Sequence, residues 1–70
     1  MASTILTARE KLVFELLIMN KSTKEIASEL GISEKTVRNH ISNAMQKLGV
    51  KGRAGAVVEL LKLKEIKLDM

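Results

Sequence analysis

The sequence has neither cysteine nor proline, no tryptophan or tyrosine, and one aromatic residue, Phe14. Without thiols there is no disulfide framework and no thiolate zinc cluster, so the fold rests on packing, helped by oligomerisation, and suits a reducing cytoplasm. Lacking Tyr and Trp, the chain has no stacking platform for splayed bases, which argues against single-stranded nucleic acid and RNA modules. Long apolar runs are missing as well. The longest, Leu12 to Met19, is broken by Glu15 and is far too short to span a bilayer, and no secretory segment is visible. His40 is the sole histidine, with no second His or Cys to complete a metal site and no orienting partner in Asn39 or Ile41. A chain of 70 residues buries only roughly 60% of its unfolded surface, too little to wall off a deep preorganised pocket. The expectation is a soluble cytoplasmic protein that is not an enzyme and has no cofactor, metal, membrane or small-molecule partner.

What the chain does have is apolar residues in every segment, 46% of the total, which calls for one compact core. It also has an excess of positive charge, and the excess is central. Residues 20–53 hold Lys21, Lys24, Lys35, Arg38, Lys47, Lys51 and Arg53 against Glu25, Glu29 and Glu34, whereas the cations and carboxylates of the flanks cancel. A basic middle between neutral ends fits a polyanion-binding surface, and equally fits an ordinary solvated Lys/Glu surface, so charge alone decides nothing.

The spacing of caps and apolar residues predicts four helices. Thr7 and Glu10 have capping-box spacing ahead of Leu12, Val13, Phe14, Leu16, Leu17 and Ile18, predicting a first helix that ends near Asn20. Ser22 and Glu25 repeat the spacing for a helix of about eight residues that carries Ile26, Ala27 and Leu30 on one face and stops at Gly31. Ser33 can cap a third helix, leaving Gly31, Ile32 and Ser33 as the whole connection, which is the geometry of a helix-turn-helix.

The third helix is predicted over Glu34–Leu48, ending at Gly49. At about 100° per residue, Val37, Ile41, Ala44, Met45 and Leu48 form a narrow apolar stripe, and Lys35, Arg38, Asn39, Ser42 and Gln46 lie opposite. That polar face combines guanidinium, ammonium, amide and hydroxyl groups, the side-chain types that read base edges in a major groove. A fourth helix is predicted from Arg53 to about Leu63. Its apolar residues Ala54, Ala56, Val57, Val58, Leu60, Leu61 and Leu63 spread over roughly 220°, wider than one core requires, so part of it is expected to meet another chain.

The residues Leu6-Thr-Ala-Arg-Glu and the run from Thr23-Lys-Glu-Ile-Ala through Gly31-Ile-Ser-Glu-Lys-Thr-Val-Arg-Asn-His-Ile to Lys47-Leu-Gly-Val closely resemble the LuxR/GerE-type helix-turn-helix family. The resemblance extends from Leu6 to about Leu68, and within the family it points to the stand-alone regulators of spore development. It implies an all-α, four-helix DNA-binding domain over residues 6–68, with helices 2 and 3 about 23–48, helix 4 about 53–63 and a poorly ordered lead at 1–5. It places Lys35, Arg38, Asn39 and Ser42 toward bases, with Glu34 at the edge, and Thr23, Lys24, Thr36, Lys47 and Arg53 at or beside phosphate-holding positions. Helix 4 becomes a dimer contact through Ala56, Val57, Leu60 and Leu63. Three positions depart from the family pattern: Leu12 where a charge is common, Ala54-Gly55 in place of polar helix-opening residues, and Lys64 at a site commonly Gly.

The reading implied is a homodimeric, sequence-specific transcription regulator acting on double-stranded DNA in the cytoplasm, associated with the nucleoid. Late sporulation genes are its implied targets, and RNA polymerase an implied partner. Two alternatives stand beside it. One is a helical protein-interaction module whose basic face is incidental, and the other is the DNA-binding output domain of a larger response regulator.

Overall fold

Three hydroxyl side chains open three of the helices. Thr7 Oγ1 accepts the Glu10 N–H at 3.1 Å, while the Thr7 N–H donates back to Glu10 Oε1 at 2.9 Å. Ser22 and Glu25 make the same reciprocal pair, at 3.1 and 2.8 Å. Ser33 Oγ accepts the Thr36 N–H at 3.0 Å and shares a second hydrogen bond with the Thr36 hydroxyl. Each pair satisfies backbone donors that the first helical turn leaves without partners. The computed structural model describes residues 6–62 as α1 (Ala8–Ile18), α2 (Thr23–Leu30), α3 (Glu34–Leu48) and α4 (Arg53–Lys62), with no strand among them. The expectations placed on residues 1–5, on Leu63 and on the tail 64–70 lie outside the described residues.

The ends of the first three helices are equally local. Asn20, Gly31 and Gly49 take left-handed conformations, with φ of 66°, 69° and 69°. Behind each, a pair of backbone bonds closes the last turn: Asn20 to Leu17 and Lys21 to Leu16, Gly31 to Ser28 and Ile32 to Ala27, Gly49 to Gln46 and Val50 to Met45. This double closure occupies carbonyls that the helix end would otherwise expose, and at α1 Asn20 does the work that glycine does at the other two. So α1 stops at Ile18 with Met19 as its C-cap, and the left-handed Asn20 follows two residues beyond the helix. The connection between α2 and α3 is Gly31, Ile32 and Ser33, as the spacing predicts.

α3 lies at the centre and packs against α1, α2 and α4. Its stripe of Val37, Ile41 and Ala44 meets Leu6, Val13 and Phe14 from the α1 end, Ile26 and Ala27 from α2, and Ala56 and Leu60 from α4 in one buried cluster. The lone aromatic, Phe14, is fully enclosed there. With α3 thus fixed on one side by apolar burial, its opposite side is held outward and has little freedom to turn.

α4 divides its wide apolar arc between two environments. Ala56 and Leu60 are completely buried in the core of the single chain, Val57 and Leu61 are half-buried against it, and Val58 is 50% exposed. Two of the residues expected at a partner contact are therefore core residues: Ala56 and Leu60 face α3 and have no surface left to offer a second chain. The apolar arc is wide because a small domain must bury most of its last helix, with the outer remainder on Val57, Val58 and Leu61.

Candidate nucleic-acid interface

The outward side of α3 carries Lys35, Arg38, Asn39, Ser42 and Gln46, all exposed. Glu34, at its first position, and Thr36 are half-buried. The structure thus brings every residue expected to face bases onto the free side or the leading edge of one helix, and it adds Asn43. Asn43 is exposed four residues beyond Asn39 and completes a row of amides with it; the same helical wheel that groups Lys35 with Asn39 contains it, because it lies opposite the Ile41 and Ala44 stripe. An α-helix fits the major groove, and Arg, Lys and Asn supply the bidentate and single donors that distinguish bases there.

Of the two cations on this face, Lys35 and Arg38, only Arg38 has an ionic partner among the described residues: its Nη1 lies 3.5 Å from Glu34 Oε1, one turn back. The same carboxylate oxygen lies 3.5 Å from the Thr23 hydroxyl, linking the first turns of α2 and α3. The five positions expected to hold phosphates separate into three groups. Lys24 and Arg53 are exposed at the starts of α2 and α4 with no ion pair among the described residues. Thr23 and Thr36 are engaged, the former with Glu34 and the latter with Ser33.

Lys47 is committed elsewhere. Its Nζ donates to Glu10 Oε1 at 2.7 Å, and Glu10 is only 4% exposed. Burial pushes the Glu10 carboxyl up, but the Lys47 hydrogen bond, the Thr7 N–H, the Lys47 charge and the Thr7 hydroxyl together outweigh it and hold the group below its ordinary value. Glu10 therefore serves two ends of the fold at once, the capping box of α1 and the last turn of α3. An ammonium held this way is an anchor between helices before it is a phosphate ligand. The exposed Glu25 is also lowered, chiefly by the Ser22 backbone N–H and hydroxyl, which outweigh the opposing desolvation, with Lys21 adding the least.

Residues 4–60 match the family described as bacterial regulatory proteins, luxR family. The chain is 75% identical over 64 residues to the spore germination protein GerE of Bacillus subtilis (strain 168), an alignment covering 91% of this chain and 86% of that protein. It is 50% identical over 58 residues to the transcriptional regulatory protein DegU of Brevibacillus brevis, covering 83% of this chain and 25% of DegU. The solved structure of the transcription factor GerE superposes with a TM-score of 0.92 at 58% identity, covering 96% of this chain and 100% of that one. The response regulator ChrA of a heme-sensing two-component system superposes with a TM-score of 0.83 at 32% identity, covering 94% of this chain and 33% of ChrA. The chain thus spans nearly all of GerE and only a quarter to a third of the two larger regulators. With a non-enzymatic regulatory fold matched along most of its length, and with the capped turn and outward α3 face in place, the chain belongs to the luxR family of bacterial regulatory proteins.

Proposed function

We propose that this GerE-like transcription regulator works as a homodimer that lays α3 of each copy in successive major grooves of duplex DNA. Lys35, Arg38, Asn39 and Ser42 face bases, and Lys24 and Arg53 hold phosphates. The observation that carries the reading is the two-sidedness of α3: one side packed through buried Val37, Ile41 and Ala44 against three helices, the other presenting a cation, a guanidinium, amides and a hydroxyl to solvent. Two copies related by two-fold symmetry require a nearly palindromic site with half-sites about 10 bp apart. The likeness to a spore germination protein supports a role in spore-forming cells, and DNA as the target supports action at the nucleoid in the cytoplasm, with RNA polymerase the neighbour acted upon.

The test is selection of bound sequences from a randomised duplex library at about 150 mM salt, where non-specific phosphate attraction is much weakened. The expected result is an enriched two-fold motif. Replacing Arg38 by Ala should then cost about 1–3 kcal/mol and relax one base position. Equal loss on all sequences overturns base reading by Arg38, and no enriched motif overturns sequence-specific recognition. A second reading, a DNA-binding output unit of a larger response regulator, is supported by DegU and ChrA, in which the matched stretch makes up 25% and 33% of a longer regulator.

A further inference from the structure

We infer that Glu34 does not read a base but positions Arg38 for the base that Arg38 reads. The inference rests on the assignment of α3 to the major groove. Glu34 Oε1 is drawn to two groups on two elements, the Arg38 guanidinium one turn along α3 and the Thr23 hydroxyl at the start of α2, each at 3.5 Å. A carboxylate at the first position of a helix also sits in the favourable field of the helix N-terminus. Three interactions therefore hold Glu34 at the α2–α3 junction, where its side chain is 44% exposed, while Arg38 is 56% exposed and meets the carboxylate through Nη1, one of the three nitrogens that carry its five N–H donors.

This geometry has two consequences for recognition. Arg38 enters the groove already restrained, so less rotamer freedom is lost when it pairs with a base edge. The carboxylate beside it also opposes a phosphate as an alternative partner for the guanidinium, so binding to a non-cognate sequence gains less from Arg38 than it would without Glu34. Both effects act on discrimination. A carboxylate near a polyanion further lowers affinity for every duplex equally, and that uniform part cancels in a ratio of affinities.

The experiment measures this ratio with the full chain. The probes are the duplex enriched from the randomised library and the same duplex with the Arg38-dependent base pair exchanged, bound by wild type, Glu34→Gln, Arg38→Ala and the double variant, with helicity checked by circular dichroism. Glu34→Gln should raise affinity for both duplexes and lower the ratio about two- to fivefold, the exposed ion pair accounting for the smaller figure and the drier groove for the larger. In the Arg38→Ala background the Gln substitution should leave the ratio unchanged. An unchanged ratio in the single Glu34→Gln variant, with Arg38→Ala still relaxing specificity, overturns the positioning role and leaves base reading by α3 standing. A fall of equal size in both backgrounds also overturns it, because Glu34 would then discriminate by itself. If Arg38→Ala relaxes nothing, the assignment of Arg38 fails and this inference fails with it.

Discussion

The first three helices and the fourth are specified in different ways. α1, α2 and α3 are each opened by a hydroxyl side chain and closed by a left-handed residue with a double backbone closure, so their bounds are written within four or five residues of each end. α4 begins after Gly52 with Arg53, Ala54 and Gly55, none of which has a hydroxyl or carboxylate to cap it. Only the Gly52 carbonyl, accepting the Ala56 N–H at 3.1 Å, marks its start. What keeps α4 helical is therefore burial of Ala56 and Leu60 against α3. The first three helices are locally determined, whereas α4 depends on tertiary contact, which is the more common origin of helix stability in a short segment.

The sharpest way to break this contrast is a charge at Leu60. Leu60→Asp buries a carboxylate with no partner in the core and should cost about 4 kcal/mol or more, most of the stability of so small a domain. Circular dichroism should show loss of helix in the whole chain. Val58→Asp, on the 50% exposed outer side, should change stability by no more than about 0.5 kcal/mol and leave the fold intact. Sedimentation of the Val58→Asp variant then asks whether that outer side joins two copies. A folded, monomeric Leu60→Asp protein would show that α4 in solution turns Leu60 toward a partner instead of toward α3.

A smaller effect tests the anchor between α1 and α3. Lys47→Met removes the ammonium from a carboxylate that is 4% exposed and leaves it with the Thr7 groups alone. Because Lys47 itself is 37% exposed, the expected loss is about 1–3 kcal/mol, below that of a fully enclosed pair. The pH dependence has a definite sign. Glu10 is held below its ordinary 4.5, so the stability it contributes is present above that value and is lost as pH falls through the lowered one. The difference in stability between wild type and Lys47→Met should accordingly be full at neutral pH and shrink in acid, where both carry a neutral Glu10. Salt dependence of DNA binding should be unaltered; a slope reduced by about one would place Lys47 on a phosphate instead.

The same division explains what could be read in advance. Helix bounds, the three-residue turn and the outward α3 face were legible because each depends on spacing within one segment: Ser22 with Glu25, Gly31 after Leu30, Lys35 opposite Val37. The Glu10–Lys47 bond joins residues 37 apart in the chain, and no local pattern distinguishes a lysine bound there from one at a phosphate. Ala56 and Leu60 share that difficulty: an apolar arc records that residues are buried but not by which chain. The Thr23–Glu34 link is legible only once α2 and α3 are placed together. Asn43 lay within reach of the helical wheel, since its position opposite Ile41 follows from the 3.6-residue period alone.

The smallest effect compares two glycines on either side of the α3–α4 connection. Gly49 ends α3 with φ of 69°, where an L side chain is strained although nothing crowds it, so Gly49→Ala should destabilise by about 1 kcal/mol. Gly55 lies in the first turn of α4, and a methyl group there would rest 3.5 Å from Val50 Cβ, an ordinary contact. Alanine would supply the helix propensity that α4 lacks at its uncapped end and add a little apolar burial on Val50. Gly55→Ala should therefore stabilise by about 0.5 kcal/mol, raising the melting temperature by roughly 2–4 °C in a domain of this size. Opposite signs from one substitution type, measured by thermal unfolding, would confirm that α3 ends by backbone geometry and that α4 starts without any. A fall in stability at Gly55 would mean that the approach of Val50 requires the missing side chain, and that α4 too has a locally specified start.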